Sequence, residues 1–435
     1  MRLRIFKFGN GQLPVSFALI ILIGALLLRL PGVLKSGTLS WIDALFTSCS
    51  AVCLNGLAVA PTAEFSFPGQ MLLLLLIQVG CFGILSLSAM VLLMLGRGLS
   101  FSNTLVMYNL NDRFSLRCTE SLIRTIAIYT FLSEAAGFLL MLPGFLWNGF
   151  GWKSLWYALF YSVGSFCNSG MGPLPGGMAQ AGRYVQAVSM VLIVLGGLGV
   201  YVIYDLLEMV RDRNHRMRLH SRIVLWTSGI LLAGGAAVLW LAGQGPGDAA
   251  LGGFDAMFLS VSSRTAGYST LDVGGLPPPC IIIVIALMFI GGSPGSAAGG
   301  IKTSTAAVVF AALISSFKGD GDVIISRRSI AWRSVLRAFT ITVIFLLLAL
   351  FGALMLNAFS PALDGLPSAF EVVSALSGTG LSTGNSTRLL TPGCRVLIAV
   401  FMFIGRVGPL SIIVFFVGRE KPGHLRYPEE RVIVS

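Results

Sequence analysis

The chain has 435 residues, 55% of them hydrophobic and 11% charged, with a net charge of +12. A water-soluble domain carries about 25% charged residues, so this composition excludes a soluble enzyme and leaves no nucleic-acid-binding domain to explain the basicity. It describes a chain that lives in lipid.

Apolar runs of the roughly 17 to 25 residues needed to cross a bilayer recur along the whole length, at 13–30, 69–95, 122–146, 185–209, 223–242, 281–290 continuing past a break to 314, 338–359 and 396–417. They predict eight spanning helices. The first follows Arg2, Arg4 and Lys7 and so imitates a secretion leader, but its length and the spans behind it predict a retained helix. Cations gather in every second connection: Arg97, Arg113, Arg117 and Arg124; Arg211, Arg213, Arg216, Arg218 and Arg222; Lys318, Arg327, Arg328, Arg333 and Arg337; and Arg419, Lys421, Arg426 and Arg431 in the tail. This positive-inside pattern puts both termini in the cytoplasm of a multi-pass protein of the cell membrane. The opposite connections hold Asp43, Glu64, Asp248, Asp255, Asp272, Asp364 and Glu371, which make the outer face attractive to cations. Seven cysteines (Cys49, Cys53, Cys81, Cys118, Cys167, Cys280, Cys394) form no paired framework. His215, His220 and His424 show no carboxylate or thiol at metal-ligand spacing, so no metal centre is expected.

Between the members of each apolar pair lies a segment too short and too polar to span. The four run from Trp41-Ile-Asp-Ala-Leu-Phe46 to Ala51-Val-Cys-Leu-Asn-Gly56, from Trp156-Tyr-Ala-Leu-Phe160 to Phe166-Cys-Asn-Ser-Gly170, from Phe254-Asp-Ala-Met257 to Ser263-Arg-Thr-Ala-Gly267, and from Phe370-Glu-Val-Val-Ser374 to Ser377-Gly-Thr-Gly380. In each, a bulky apolar residue (Phe46, Phe160, Met257, Phe370) stands ten positions before the final glycine, which marks an internal repeat. Ten helical residues reach about 15 Å, half a membrane, so each segment is expected to dip in as a short helix and return as irregular backbone. Such backbone is tolerated at that depth only inside protein or along an aqueous cavity. The expected fold is therefore an all-α integral membrane protein of four tandem helix–pore loop–helix repeats, eight transmembrane helices and four re-entrant loops, around a pseudo-fourfold central pore. The repeats are expected at 1–110, 111–215, 216–325 and 326–418, followed by a cytoplasmic tail at 419–435.

Gly56, Gly170, Gly267 and Gly380 lack a β-carbon and let carbonyl oxygens approach an ion. A ring of carbonyls can replace the hydration shell of potassium, and the negative ends of the short helices would favour cations. The plainer reading is that these glycines only cap the short helices.

With these motifs in view, the chain resembles the TrkH/KtrB/HKT superfamily of potassium transporters, most closely the shorter KtrB type. The resemblance runs over nearly the whole chain and is carried best by Ser262-Ser-Arg-Thr-Ala-Gly-Tyr268, Gly291-Gly-Ser-Pro-Gly-Ser-Ala-Ala-Gly-Gly-Ile-Lys-Thr303 and Gly405-Arg-Val-Gly-Pro409. It implies a potassium uptake channel, not an enzyme, with no cofactor beyond the ions in its pore. The implied selectivity filter comprises Cys53, Leu54, Asn55 and Gly56, then Asn168, Ser169 and Gly170, then Thr265, Ala266 and Gly267, then Gly378, Thr379 and Gly380. In that family four filter glycines go with potassium selectivity, and serine in the first loop with sodium permeation. Asn55, where the family has a small hydroxyl residue, and Gly378 depart from the pattern, which keeps a poorly selective potassium/sodium pathway open as the alternative.

The glycine-rich stretch 291–300 breaks the sixth span. By resemblance it is the gate under the filter, built from Gly291, Gly292, Ser293, Pro294, Gly295, Ser296, Gly299 and Gly300. A phosphate-binding loop is the competing reading, but Lys302 falls one residue late for it, and no strand precedes it. Arg264, Lys302 and Arg406 lie at or near membrane depth, where a charge is functional by default. Arg264 is expected to pair with Asp255 or Glu371. Arg406 either faces the permeation path and tunes gating, as the resemblance implies, or packs helices away from it. Lys302 marks the cytoplasmic end of the broken helix. Glu134 is open between proton coupling and a packed or lipid-edge carboxylate. The resemblance further implies a homodimer working with a cytoplasmic ring of nucleotide-binding regulatory subunits of the KtrA/TrkA kind. The basic loops at 211–222 and 318–337 would serve that ring or the lipid headgroups.

Overall fold

The computed structural model describes residues 12–94, 116–212, 214–244, 250–319, 321–360, 364–384 and 390–409. The expected tail at 419–435, Arg97, Arg113 and the N-terminal Arg2, Arg4 and Lys7 lie outside them. The described residues form fourteen α-helices: α1 (Gln12–Leu28), α2 (Trp41–Cys53), α3 (Phe67–Met94), α4 (Leu116–Trp147), α5 (Lys153–Phe166), α6 (Gly182–Leu198), α7 (Val200–Arg211), α8 (Leu219–Ala242), α9 (Gly253–Ser262), α10 (Pro278–Phe289), α11 (Thr303–Lys318), α12 (Trp332–Phe359), α13 (Gly365–Ser377) and α14 (Pro392–Val407). A two-residue hairpin, β1 (Ile324–Ile325) with β2 (Arg328–Ser329), joins α11 to α12 through left-handed Ser326 and Arg327.

Four described helical segments are long and apolar enough to cross a membrane, at Arg124–Trp147, Gly177–Leu198, Leu219–Ala242 and Trp332–Phe359. Their outward faces carry Leu132, Leu139, Val191, Ile230, Leu347 and Leu354, all well exposed, as surfaces solvated by lipid require. The short helices are the reverse: α2, α5 and α13 are buried along most of their length. Ser40 caps α2 by accepting from the Asp43 amide at 3.1 Å, and Asp43 in turn holds Arg395 of α14 at 2.6 Å.

Close packing between the short helices and the long ones runs through small residues. The Ser48, Ser162 and Ser260 hydroxyls donate to the carbonyls of Ile21, Glu134 and Leu232 at 2.6 to 2.9 Å. A β-carbon on Gly24, Gly137 or Gly235 would run into those same hydroxyls. On the other flank, Gly80, Gly196 and Gly405 lie so near the carbonyls of Val52, Phe166 and Leu376 that a side chain there would collide with backbone. Backbones approach this closely only where a glycine faces the contact.

Two sequence expectations need correction. The run at 185–209 is not one helix: Gly199, at φ +81°, separates α6 from α7. The Ser293 amide and hydroxyl both donate to the Gly197 carbonyl, at 3.1 and 2.6 Å, while the Val200 amide donates to the Gly295 carbonyl at 3.2 Å, so peptide groups that would continue the helix are spent on the 291–300 stretch. The ten-residue spacing also misplaces the third segment. Phe46, Phe160 and Phe370 are fully buried, but Met257 is 38% exposed and Phe258, one position on, is 1% exposed. Ser260 likewise stands seven residues before its glycine, where Ser48 and Ser162 stand eight before theirs. The third segment therefore reaches its glycine in one residue fewer, through a tighter turn.

Gly196→Val should drive a branched side chain into the Phe166 carbonyl and destabilise the protein by about 1–3 kcal/mol or more. Gly234→Ala, which meets nothing within 4 Å, should leave it unchanged. Thermal melting of the detergent-solubilised protein checks both.

Candidate functional site

The segments that follow α2, α5, α9 and α13 leave the helix in the same way. Two residues before each terminal glycine the backbone turns left-handed, at Leu54 (φ +57°), Asn168 (φ +56°), Thr265 (φ +81°) and Gly378 (φ +69°). The glycines follow at φ +94° (Gly56), +68° (Gly170), +76° (Gly267) and +83° (Gly380). In the first, second and fourth segments the amide before the glycine (Asn55, Ser169, Thr379) donates five residues back, to Ser50, Gly164 and Ser374, at 2.9 to 3.0 Å. In the third, Ala266 reaches back only four, to Ser262. Hydroxyls finish the turns: Ser50 accepts from the Gly56 amide and Ser374 from the Gly380 amide, each at 3.0 Å, while Ser262 donates to the Tyr268 carbonyl. The conformation accounts for Gly378: it occupies the left-handed position that Leu54, Asn168 and Thr265 fill at a penalty of about 1–2 kcal/mol each.

The four segments meet one another in a closed cycle. A β-carbon on Gly56 would lie 2.7 Å from the Ser169 carbonyl, and one on Gly170 would lie 2.9 Å from the Ala266 carbonyl. One on Gly267 would strike the Thr379 carbonyl, and one on Gly380 the Asn55 carbonyl. Each glycine thus abuts the peptide just before the next glycine, and the fourth returns to the first. Cys53, Leu54, Asn55, Asn168, Ser169, Thr265, Ala266, Gly378, Thr379 and Gly380 are all buried. Asn55 closes the cycle from the side: its amide group donates to the Ser374 and Ala375 carbonyls at 3.2 and 2.9 Å, locking the first segment to the end of α13. A small hydroxyl residue could not span that gap.

Beneath the cycle runs the 291–300 stretch between α10 and α11. Its ends are pinned together by the Gly291 amide donating to Ile301 at 2.9 Å and the Thr303 amide to Gly292 at 3.0 Å. Gly299 packs on the fourth segment, 3.6 Å from where a Gly378 β-carbon would sit. Arg406, half-buried, donates to the Ala297 carbonyl and, at 2.6 Å, to Gly80 of α3. Lys302 donates to the Ala298 carbonyl at 2.6 Å. Arg406 thus ties the stretch to both α14 and α3, and Lys302 bonds back onto the stretch from the start of α11.

Among the described residues Arg264 is paired with no carboxylate. Its guanidinium donates to the Gly291 carbonyl at 3.2 Å and to the carbonyl and hydroxyl of Ser228 at 3.4 Å. Asp255 instead accepts from Thr270, and Glu371 from the Ser382 hydroxyl and Thr383 amide in the outer part of the fourth loop. Glu134 is buried and accepts from Gln78 at 3.0 and 3.2 Å, so it does not lie at the lipid edge. Folding also brings His215 to 2.8 Å from Asp205 and 3.6 Å from Glu208, a proximity hidden by their sequence separation. Arg218 bonds the same two carboxylates.

The chain matches the family model for TrkH, described as cation transport protein, over residues 8–243 and 247–422. It is 32% identical to Ktr system potassium uptake protein B of Bacillus subtilis across 97% of this chain and 96% of that protein. It is 31% identical to the potassium/sodium uptake protein NtpJ of Enterococcus hirae across 97% and 96%. The crystal structure of the potassium transporter TrkH from Vibrio parahaemolyticus shares the fold, with a TM-score of 0.71 at 16% identity over 95% of this chain and 86% of that one.

Two glycines only two residues apart should respond differently. Gly378→Ala meets only ordinary contacts and should lose about 1 kcal/mol through its left-handed backbone, whereas Gly380→Ala would collide with the Asn55 carbonyl and should prevent the cycle from closing. Melting temperature and monodispersity of the purified variants separate the outcomes.

Proposed function

The chain belongs to the TrkH family of cation transport proteins, and on that premise we propose that it is the membrane subunit of a potassium uptake channel. The closed cycle of four glycine segments is the observation that carries this reading. The segments are re-entrant loops that end half-membrane helices, and each belongs to one of four helix–loop–helix repeats, at 1–110, 111–215, 216–325 and 326–418. Potassium is the substrate. The carbonyls of residues 53–56, 168–170, 265–267 and 378–380 take the place of its hydration water. The short helices point their negative C-terminal ends at the ion path and repel anions.

Passage is passive. The membrane potential supplies roughly 2.3 kcal/mol per elementary charge per 100 mV, so uptake needs no catalysis in this chain. The stretch 291–300 is the gate, held shut beneath the filter by the Arg406 and Lys302 contacts and by Ser293. The protein sits in the cell membrane with both termini inside, as a homodimer. Its basic inner loops, including 211–222 and 318–337, receive lipid headgroups and a separate nucleotide-binding regulatory ring. One observation favours a less selective alternative: a relative of similar identity is named a potassium/sodium uptake protein.

The test is uptake of potassium, rubidium and sodium into proteoliposomes, beside Gly56→Ser. The native protein should take up potassium and rubidium in preference to sodium. The variant, whose β-carbon would press on the Ser169 carbonyl, should admit sodium severalfold more readily. Equal sodium entry in the native protein would establish the alternative. Arg406→Gln, which removes the charged tie to Ala297, should raise rubidium flux severalfold; an unchanged or lower flux would count against the gate.

A further inference from the structure

Arg264 stands one residue before the left-handed Thr265 of the third segment, yet the described residues around it offer no counter-charge. It is 9% exposed, none of the ion pairs among the described residues involves it, and its Nε has no hydrogen-bond partner. Its three bonds, at 3.2 to 3.4 Å, are all to neutral oxygens and at the long end of the range. A guanidinium withdrawn from water without a carboxylate is expensive.

Beside it is a small cavity between α6, α8, the end of α9 and the 291–300 stretch. Val194, Leu198, Leu232 and Val261 form apolar walls, and Arg264, Ser228 and Gly292 supply the polar side. The space it leaves for a guest, about 20 Å³, suits a small one. We propose that this cavity is a binding site for a single monatomic anion, chloride under physiological conditions, held by the Arg264 guanidinium.

Two consequences follow from the position. The anion cancels a fixed positive charge beside the ring that, on the proposed function, conducts cations, and so lowers the barrier to their passage. It also sits where the third segment, through Arg264, meets the glycine-rich stretch, through Gly291 and Gly292, so an occupied site holds the two together.

Bromide is a heavier halide that fits the same space and scatters anomalously. Crystals of the native protein grown in bromide should show an anomalous peak in contact with the Arg264 guanidinium, absent in Arg264→Gln. A native structure with water there and no peak overturns the proposal, whether or not the variant folds. In proteoliposomes at fixed potassium, replacing chloride by gluconate on both sides should lower rubidium uptake severalfold, and bromide should restore it. Uptake indifferent to the anion overturns the role in conduction. Absence of any rubidium uptake under all anions would instead count against the pore reading and leaves the scattering result to decide the site.

Discussion

Peptide groups that leave a helix inside an apolar interior must be satisfied by protein or by something that protein encloses. Four stretches of this chain do so together, and the contact of each glycine with the next segment's carbonyl is the constraint on which the remaining architecture depends. Such contacts demand that the four segments arrive at the same level with the same handedness. Leu54, Asn168 and Thr265 accept a left-handed backbone to do it, a strain that persists only where surroundings over-determine it. The surroundings are specific: serine hydroxyls close the turns, Asn55 crosses from the first segment to α13, and glycines on the flanking helices let the short helices come to backbone contact. A change at any of these points acts on the ring through its geometry.

The glycine-rich stretch beneath the ring is held differently. Its own turns are bonded backbone to backbone, but its ties to the rest of the molecule are few and reach five separate elements: α6 and α7 through Ser293 and Gly295, α8 through Arg264, α14 through Arg406, and α13 through Gly299. Several of these ties are side-chain donors on main-chain carbonyls, which water or an ion can replace. A segment rich in residues without side chains, fastened by exchangeable bonds to elements that belong to different parts of the chain, is suited to having two positions. The break at Gly199 serves the same end, because it exposes the peptide groups to which the stretch is fastened.

Much of this was legible in the sequence and some was not, for reasons that can be named. The helical class, the family and the break after Phe289 follow from apolar run lengths and from motifs that are local in the chain. The glycines at 56, 170, 267 and 380 announce themselves by spacing, although spacing placed Met257 where Phe258 belongs: a one-residue tightening of a turn leaves composition unchanged. Gly199 was overlooked because the run around it stays apolar, and its signal, three glycines within four positions, reads equally as close helix packing. The partners of Arg264 were misassigned because charge complementarity was applied to carboxylates in neighbouring loops, while the fold supplied carbonyls 27 and 36 residues away. His215 met Asp205 and Glu208 unannounced because a bend between two helices, not a helical repeat, brings them together.

The electrostatics of the site also follow from backbone more than from side chains. Each short helix carries roughly half a negative charge at its C-terminal end, so four converging ends amount to about two negative charges without a single carboxylate. Arg406 and Lys302, bonded to carbonyls of the stretch below, are of the size needed to offset them. On the proposed function, fixed charges that nearly cancel leave a region in which a passing cation is neither trapped nor expelled. Arg264 is the cation that this balance does not use. Its position behind the ring, bonded only to neutral oxygens, makes it the place where the field can be adjusted by a mobile ion rather than by a conformational change.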